Sequence, residues 1–134
     1  MTSPSSSYQL EAQNLLIRGR VMCGSRRGYE GKEEITLENF LDVLGEIHLA
    51  FAKEGRPTLP CSVGEAHLIG RTGDSAYRER LYSCDFLQSP RGEQLPLEKF
   101  EECVRAYAHK MGEALEQTRM YVEIHGQMEV WKVH

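Results

Sequence analysis

Several features that would assign this chain to a class of protein are missing from its sequence. No apolar run approaches the roughly 20 residues that a membrane-spanning helix requires, and residues 1–7 have neither a basic start nor an apolar stretch. The 16 basic side chains are fewer than the 20 acidic ones, and the resulting net charge of −4 offers no general attraction for nucleic acid or anionic lipid. We therefore expect a cytoplasmic protein that binds neither nucleic acid nor a membrane.

Cysteine pairs of the kind found in redox motifs and zinc sites are also missing. The four cysteines are spread along the chain without a C-x-x-C pair, and without a secretory signal there is little reason to expect disulfides. Cys61, six residues before His67, is the one cysteine that merits a test as a nucleophile, although an inert thiol is the simpler interpretation. No cofactor and no metal are predicted, and His48, at the edge of an apolar helical stripe, is interpreted as a packing residue.

The length and composition are those of one globular domain. A chain of 134 residues, 40% of them hydrophobic, is long enough to bury a single core without disulfides. Residues 1–7 are small and polar and contain Pro4, so they predict a disordered tail. The single domain is expected to span residues 8–134.

The chain repeats part of its sequence in its second half. The residues that recur share an offset of sixty positions: Arg18, Arg20, Leu37, Glu38 and Phe40 recur as Arg78, Arg80, Leu97, Glu98 and Phe100. After a two-residue slip, Glu65 matches Glu123 and His67 matches His125. We interpret these matches as two pseudo-repeats, which span about residues 15–70 and 75–133.

Two helices are predicted from apolar residues that are spaced three and four apart. The first begins after Thr36, a plausible N-cap, and ends before Gly55 and Pro57. The second begins at Pro96, which suits the first turn of a helix, and its apolar stripe spans residues 97–115.

Strands are predicted on either side of each helix. Alternating side chains indicate strands over residues 15–23, 62–70 and 77–87. The second and third of these form a predicted hairpin whose turn is longer than the tightest type. Residues 120–133 are rich in strand-forming side chains, and Gly126 favours a hairpin there over one long strand.

This element order predicts an α+β fold. Duplicated β-α-β units would form a sheet of four or more strands, with two helices packed on one face. The arrangement is similar to ferredoxin-like folds and to the tautomerase superfamily, and the second resemblance implies a homo-oligomer and a proton-transfer enzyme. Tautomerases use a proline exposed after removal of methionine, whereas this chain has Thr2, so that base is not carried over to any residue.

Two Glu-x-His pairs are the first candidate site. The members of each pair are two residues apart on a predicted strand and project from the same face; they are Glu65 with His67, and Glu123 with His125. A histidine of this kind could act as a catalytic base while the carboxylates bind a ligand. Two groups per strand are fewer than a zinc site requires, and inert polar positions are the simpler interpretation.

Two arginine pairs are the second candidate site. Arg18 with Arg20, and Arg78 with Arg80, could bind a carboxylate or phosphate through forked donors. We expect all four to share one sheet face with apolar side chains such as Tyr82. Salt bridges to the many glutamates are the simpler interpretation.

These observations leave three hypotheses for function. The first is a self-associating binding module for a small anionic ligand or a protein partner. The second is a tautomerase-like isomerase or another proton-transfer enzyme, with His67 or His125 as the base. The third is an inhibitor or immunity-type interaction protein, for which a small acidic domain is ordinary.

Overall fold

The computed structural model describes residues 7–14, 17–27, 33–88, 90–124 and 127–133. Their elements are β1 (Arg18–Gly24), β2 (Arg26–Arg27), β3 (Glu33–Glu34), α1 (Leu37–Lys53), β4 (Cys61–Thr72), β5 (Ser75–Leu87), α2 (Leu97–Ala114), β6 (Arg119–Ile124) and β7 (Gln127–Lys132). Residues 1–6 of the predicted tail and His125 lie outside the described residues. Neither described helix is long and apolar enough to span a membrane.

Five strands form one antiparallel sheet in the order β4-β5-β1-β6-β7. The predicted α+β class and the sheet of four or more strands are confirmed. In each half of the chain, the strands before and after the helix are separated by one strand of the other half. β2 and β3 pair with each other outside this sheet. The duplication and the ferredoxin-like or tautomerase-like arrangement stay interpretations of the sequence.

Both helices pack against one face of the sheet. Phe40 of α1 stacks on Tyr82 of β5 with ring centroids 5.1 Å apart, and Tyr107 of α2 lies 4.8 Å from Phe86 of β5. The helices meet where Phe51 contacts the edge of Tyr107. All five side chains are buried, so the core lies between the helices and this face, which we call the helix side of the sheet.

The helix boundaries follow from local hydrogen bonding. Thr36 caps α1: its hydroxyl accepts the Asn39 N–H at 3.1 Å, and the Asn39 side chain accepts the Thr36 N–H at 3.5 Å. After α1, Gly55 adopts a φ of +74°, the left-handed conformation that ends many helices. α2 begins after Pro96, which makes no side-chain cap hydrogen bond. The predicted start of α1 is confirmed, and α2 begins one residue after its predicted start.

The β4–β5 hairpin projects beyond the rest of the sheet. Among the described residues, β1 pairs with β5 only along residues 81–87, so residues 67–80 pair only with one another. We call residues 67–80 the arm. Its residues are exposed on both faces of the hairpin, apart from Gly70 and Arg80, which are half-buried.

The turn at the tip of the arm is shorter than the sequence predicts. Thr72 pairs with Ser75, which leaves only Gly73 and Asp74 between the strands. Gly73 has a φ of +61°, as the first position of a type II′ turn requires. The prediction was wrong because the polar residues beside the turn carry no apolar alternation.

The chain ends in a second hairpin. β6 and β7 pair antiparallel from Arg119 with Lys132 to Ile124 with Gln127. The predicted hairpin is therefore confirmed over the described residues on each side of the turn.

Candidate functional site

The four predicted arginines do not share a face. Directly paired residues of an antiparallel ladder project from the same face, and Arg20 pairs with Asp85 on the face away from the helices. Arg78 and Arg80 alternate with the buried Tyr82 and lie on the helix side. The expectation of one arginine surface was wrong, because the register pairs each even-numbered residue of β1 with an odd-numbered residue of β5.

The two Glu-x-His pairs also point in different directions. Glu65 lies on the helix side of β4, whereas Glu123 pairs with Arg20 on the opposite face of β6. Two strands separate β4 from β6. His67 is exposed in the arm. Among the described residues, no group of three or more His, Cys, Asp or Glu side chains is arranged to hold a metal ion.

Three charged side chains do meet, where the arm joins the sheet. Arg80 Nη1 donates to Glu34 Oε1 at 2.6 Å, and Arg80 Nε lies 3.0 Å from Glu65 Oε1. Beneath them the buried Tyr82 hydroxyl donates to the Ile35 carbonyl at 2.7 Å. A hydrogen bond with Tyr82, then the charge of Glu34, raises the pKa of Arg80. We call Glu34, Glu65 and Arg80 the root cluster.

The root cluster has an excess of negative charge. Two carboxylates, 56% and 41% exposed, face one guanidinium that is 39% exposed. Glu34 therefore already balances the charge of Arg80. Glu65 forms an ion pair with Arg80 Nε, but the two groups are not aligned for a hydrogen bond. Electrostatics make this cluster a better site for a cation than for an anion.

Arg20 is paired in the same way on the other face. Its Nε donates to Asp85 Oδ1 at 2.7 Å. This hydrogen bond, with the charges of Asp85 and Glu123, raises the pKa of Arg20. Arg20 is therefore already in an ion pair and is not available for the predicted anion site. Arg18 and Arg78 are exposed on opposite faces of the sheet.

A second cluster surrounds Cys61 at the start of β4. His48 Nε2 lies 3.8 Å from Cys61 Sγ, and His48 Nδ1 lies 2.7 Å from the Tyr107 hydroxyl. The Tyr107 oxygen also accepts the Leu59 N–H at 3.3 Å. From β5, the thiol of Cys84, which donates to the Val21 carbonyl at 3.8 Å, also affects the pKa of Cys61. We call Cys61, Cys84, His48 and Tyr107 the thiol cluster.

Sequence spacing missed this cluster because its members come from four elements. The sequence paired Cys61 with His67, but His67 lies opposite Arg80 in the arm. The adjacent histidine is His48, thirteen residues before Cys61. The signal in the sequence was a titratable side chain at the edge of an apolar helical stripe, and only the packing of α1 over β4 shows what it contacts.

Comparison with known proteins places the fold. Neither a protein-family model nor a curated protein matches the chain. Among solved structures, it resembles a phage SAM lyase in complex with S-methyl-5′-thioadenosine, with a TM-score of 0.67 and 16% identity over 95% of this chain and 97% of that chain. It also resembles a phage SAM lyase in the apo state, with a TM-score of 0.61 and 17% identity over 88% and 90% of the two chains. The chain therefore shares its α+β fold, a five-stranded antiparallel sheet with two helices, with phage SAM lyase structures.

Proposed function

We propose that this protein binds S-adenosylmethionine (SAM) and cleaves it to S-methyl-5′-thioadenosine. The observation that carries the proposal is the fold, which matches a phage SAM lyase bound to S-methyl-5′-thioadenosine over 95% of this chain with a TM-score of 0.67. That molecule keeps the methyl and adenosyl groups of SAM. The bond that breaks is therefore the one from sulfur to the methionine-derived carbon chain, and its electron pair returns to the sulfonium sulfur. An oxygen of the substrate's own carboxylate forms the new bond to that carbon, so the second product is a lactone.

The root cluster supports a sulfonium as the ligand. Its two carboxylates outnumber its one guanidinium, and SAM carries a permanent positive charge on sulfur. Glu34 is already hydrogen-bonded to Arg80 at 2.6 Å, so Glu65 is the carboxylate freer to contact a ligand. The proposal keeps the predicted small ligand but changes its charge at this site from negative to positive.

The arm supports self-association as part of the same proposal. Ile69 is 72% exposed on the helix side of the arm, whereas Leu68 and Tyr77, 44% and 43% exposed, lie on the opposite face. A two-stranded hairpin is marginally stable in water by itself, and an interface would bury its exposed apolar side chains. A second copy packed against the helix side of the arm would bury Ile69 and would shield the neighbouring root cluster from water.

The other hypotheses from the sequence are kept as predictions. A cytoplasmic location is consistent with four free thiols. Proton transfer by His67 or His125, and an inhibitor-type role with a protein partner, stay predictions that assays of those activities test.

Incubation of the purified protein with SAM, followed by chromatography for S-methyl-5′-thioadenosine, tests the proposed activity. We expect the product to accumulate in proportion to protein. Glu65→Gln removes one charge that binds the sulfonium before and during cleavage, so KM should rise about tenfold, or about 1.4 kcal/mol, with a smaller change in kcat.

Glu46→Gln is the matched control, because Glu46 is exposed on α1 and the substitution removes the same charge. It should leave KM and kcat unchanged. Calorimetric binding of SAM without product would identify a binding module without turnover. Absence of both binding and product would refute the proposed function.

A further inference from the structure

We propose that Cys61 is a modification site, whose sulfur is held in the thiol cluster as a nucleophile for small soft electrophiles. In the reaction with an alkyl halide, an electron pair of sulfur forms the S–C bond, and the halide leaves with the electrons of the carbon–halogen bond. The thiol cluster shares no side chain with the root cluster. The proposal therefore does not depend on the cleavage of SAM.

The His48 ring is oriented from both sides. The Tyr107 hydroxyl lies 2.7 Å from Nδ1, and the two rings meet edge to face at 5.0 Å. Because the Tyr107 oxygen accepts the Leu59 N–H, its own hydrogen is free to donate to Nδ1. Nε2 then carries a hydrogen and faces the Cys61 sulfur at 3.8 Å. A hydrogen-bond donor beside a thiolate stabilises the charged form, which is the nucleophile.

Cys84 is the second group that affects this sulfur. It is fully buried, whereas Cys61 is half-buried, so burial places the negative charge on Cys61 and the proton on Cys84. The hydrogen bond from Cys84 is the largest cause that lowers the pKa of Cys61, from 9.0 to about 6. The same hydrogen bond raises the pKa of Cys84.

The charge of Cys61 depends on groups from three elements packed against it. These are His48 from α1, Tyr107 from α2, and Cys84 and Asp85 from β5. The hydrogen bond and charge of His48 lower the pKa of Cys61 further, while burial and the charge of Asp85 raise it. The donors outweigh the opposing effects, so we expect the thiolate to form below neutral pH.

Cys103 is an internal comparison for accessibility. It lines a cavity of about 320 Å³ between the two helices, and its thiol donates to the Pro57 carbonyl at 3.5 Å. Burial raises the pKa of Cys103 to about 11 and that of Cys23 to about 12. A small reagent can reach Cys103 through this cavity. A faster reaction at Cys61 would therefore report a larger thiolate fraction at Cys61 more than easier access of the reagent.

Alkylation of the folded chain with iodoacetamide, followed by peptide mass spectrometry, measures the rate at each cysteine as a function of pH. The Cys61 rate should rise with a midpoint near pH 6. At about pH 7, thiolate fractions favour Cys61 over Cys103 by about 10⁴, and the weaker nucleophilicity of a low-pKa thiolate offsets about 10² of this. We therefore expect Cys61 to react about a hundredfold faster.

Three substitutions separate the hydrogen bonds from general packing. Cys84→Ala and His48→Leu should each raise the midpoint by about one pH unit or more, because each removes a group that lowers the pKa of Cys61. Cys84→Ser keeps a donor and should restore a midpoint near that of the unmodified sequence. His109→Leu is the control, because His109 is exposed and contacts Trp131 on the other side of α2.

Equal rates at Cys61 and Cys103 in the folded protein would overturn the proposal, and this comparison needs no variant. An unshifted midpoint in both Cys84→Ala and His48→Leu would also overturn it. In urea, where the cluster is lost, all four cysteines should react at similar rates.

Discussion

At the scale of single residues, Gly19 lies in close contact with α2. A Cβ added there would lie 2.8 Å from Val104 Cγ2 and 3.4 Å from Phe100 Cε2. Both neighbours are buried, and in a close-packed core they cannot move away from an added methyl group without losing other packing contacts. Gly19 therefore lets β1 and α2 approach each other.

Gly19→Ala is expected to lower the free energy of unfolding by about 1–3 kcal/mol because it overpacks the core. Gly45→Ala is the matched change, since Gly45 is exposed in α1 and nothing lies within 4 Å of its added Cβ. It should raise the free energy of unfolding by up to about 1 kcal/mol through helix propensity. Urea denaturation measures both. Changes of the same sign would contradict the steric explanation.

Alternation predicted Gly19, Val21 and Cys23 on one face, and all three are buried on the helix side. The same alternation could not show that Arg20 and Arg80 lie on opposite faces. The face of a side chain relative to the next strand depends on the pairing register, and the register is decided by the core that both strands bury.

At the scale of elements, α1 begins with two reciprocal hydrogen bonds between Thr36 and Asn39. Thr36→Ala removes the oxygen that accepts the Asn39 N–H, so the free energy of unfolding should fall by about 1 kcal/mol. Thr36→Ser keeps that oxygen and should cost clearly less. Urea denaturation compares the two variants, and an equal loss in both would show that the cap hydrogen bond does not decide the stability of this terminus.

Helices were easier to predict than strands for a physical reason. α1 and α2 each bury one stripe, so their apolar spacing is visible along the sequence. The outer part of β4 and β5 buries neither face, and alternation cannot mark a strand without a buried side. Neither apolar spacing nor alternation could predict the thiol cluster, because it depends on how α1 packs over β4.

At the scale of the whole molecule, the sequence predicted how helices and sheet are layered, but not which side chains lie next to one another. It assigned two helices to one side of a sheet, and the shared core confirms this. It named Glu65 and Arg80 as candidate ligand-binding residues, yet Glu34 comes from a two-residue strand that has no sequence signal. Without Glu34 the sequence could not indicate the excess of negative charge in the root cluster.

Light scattering after size-exclusion chromatography tests self-association through the arm. The protein should elute as an oligomer at micromolar concentration, and Ile69→Glu should produce a monomer because it places a charge in the proposed interface. Leu49→Glu is the control, since Leu49 is 74% exposed on α1 and Ile69 is 72% exposed in the arm. Dissociation by both variants, or a monomer before any substitution, would contradict the proposed interface.

Because the arm has no hydrophobic core of its own, we expect it to open locally more often than the rest of the sheet. Residues 67–80 are joined to the domain only at one end, so little beyond their own ladder opposes local opening, and their amide hydrogens should exchange with solvent sooner than those of β1. If copies associate there, each copy slows exchange in its neighbour, and the exchange rate becomes a function of protein concentration. Dilution would then speed up hydrogen exchange in the arm first, while exchange in the core under the helices stays slow.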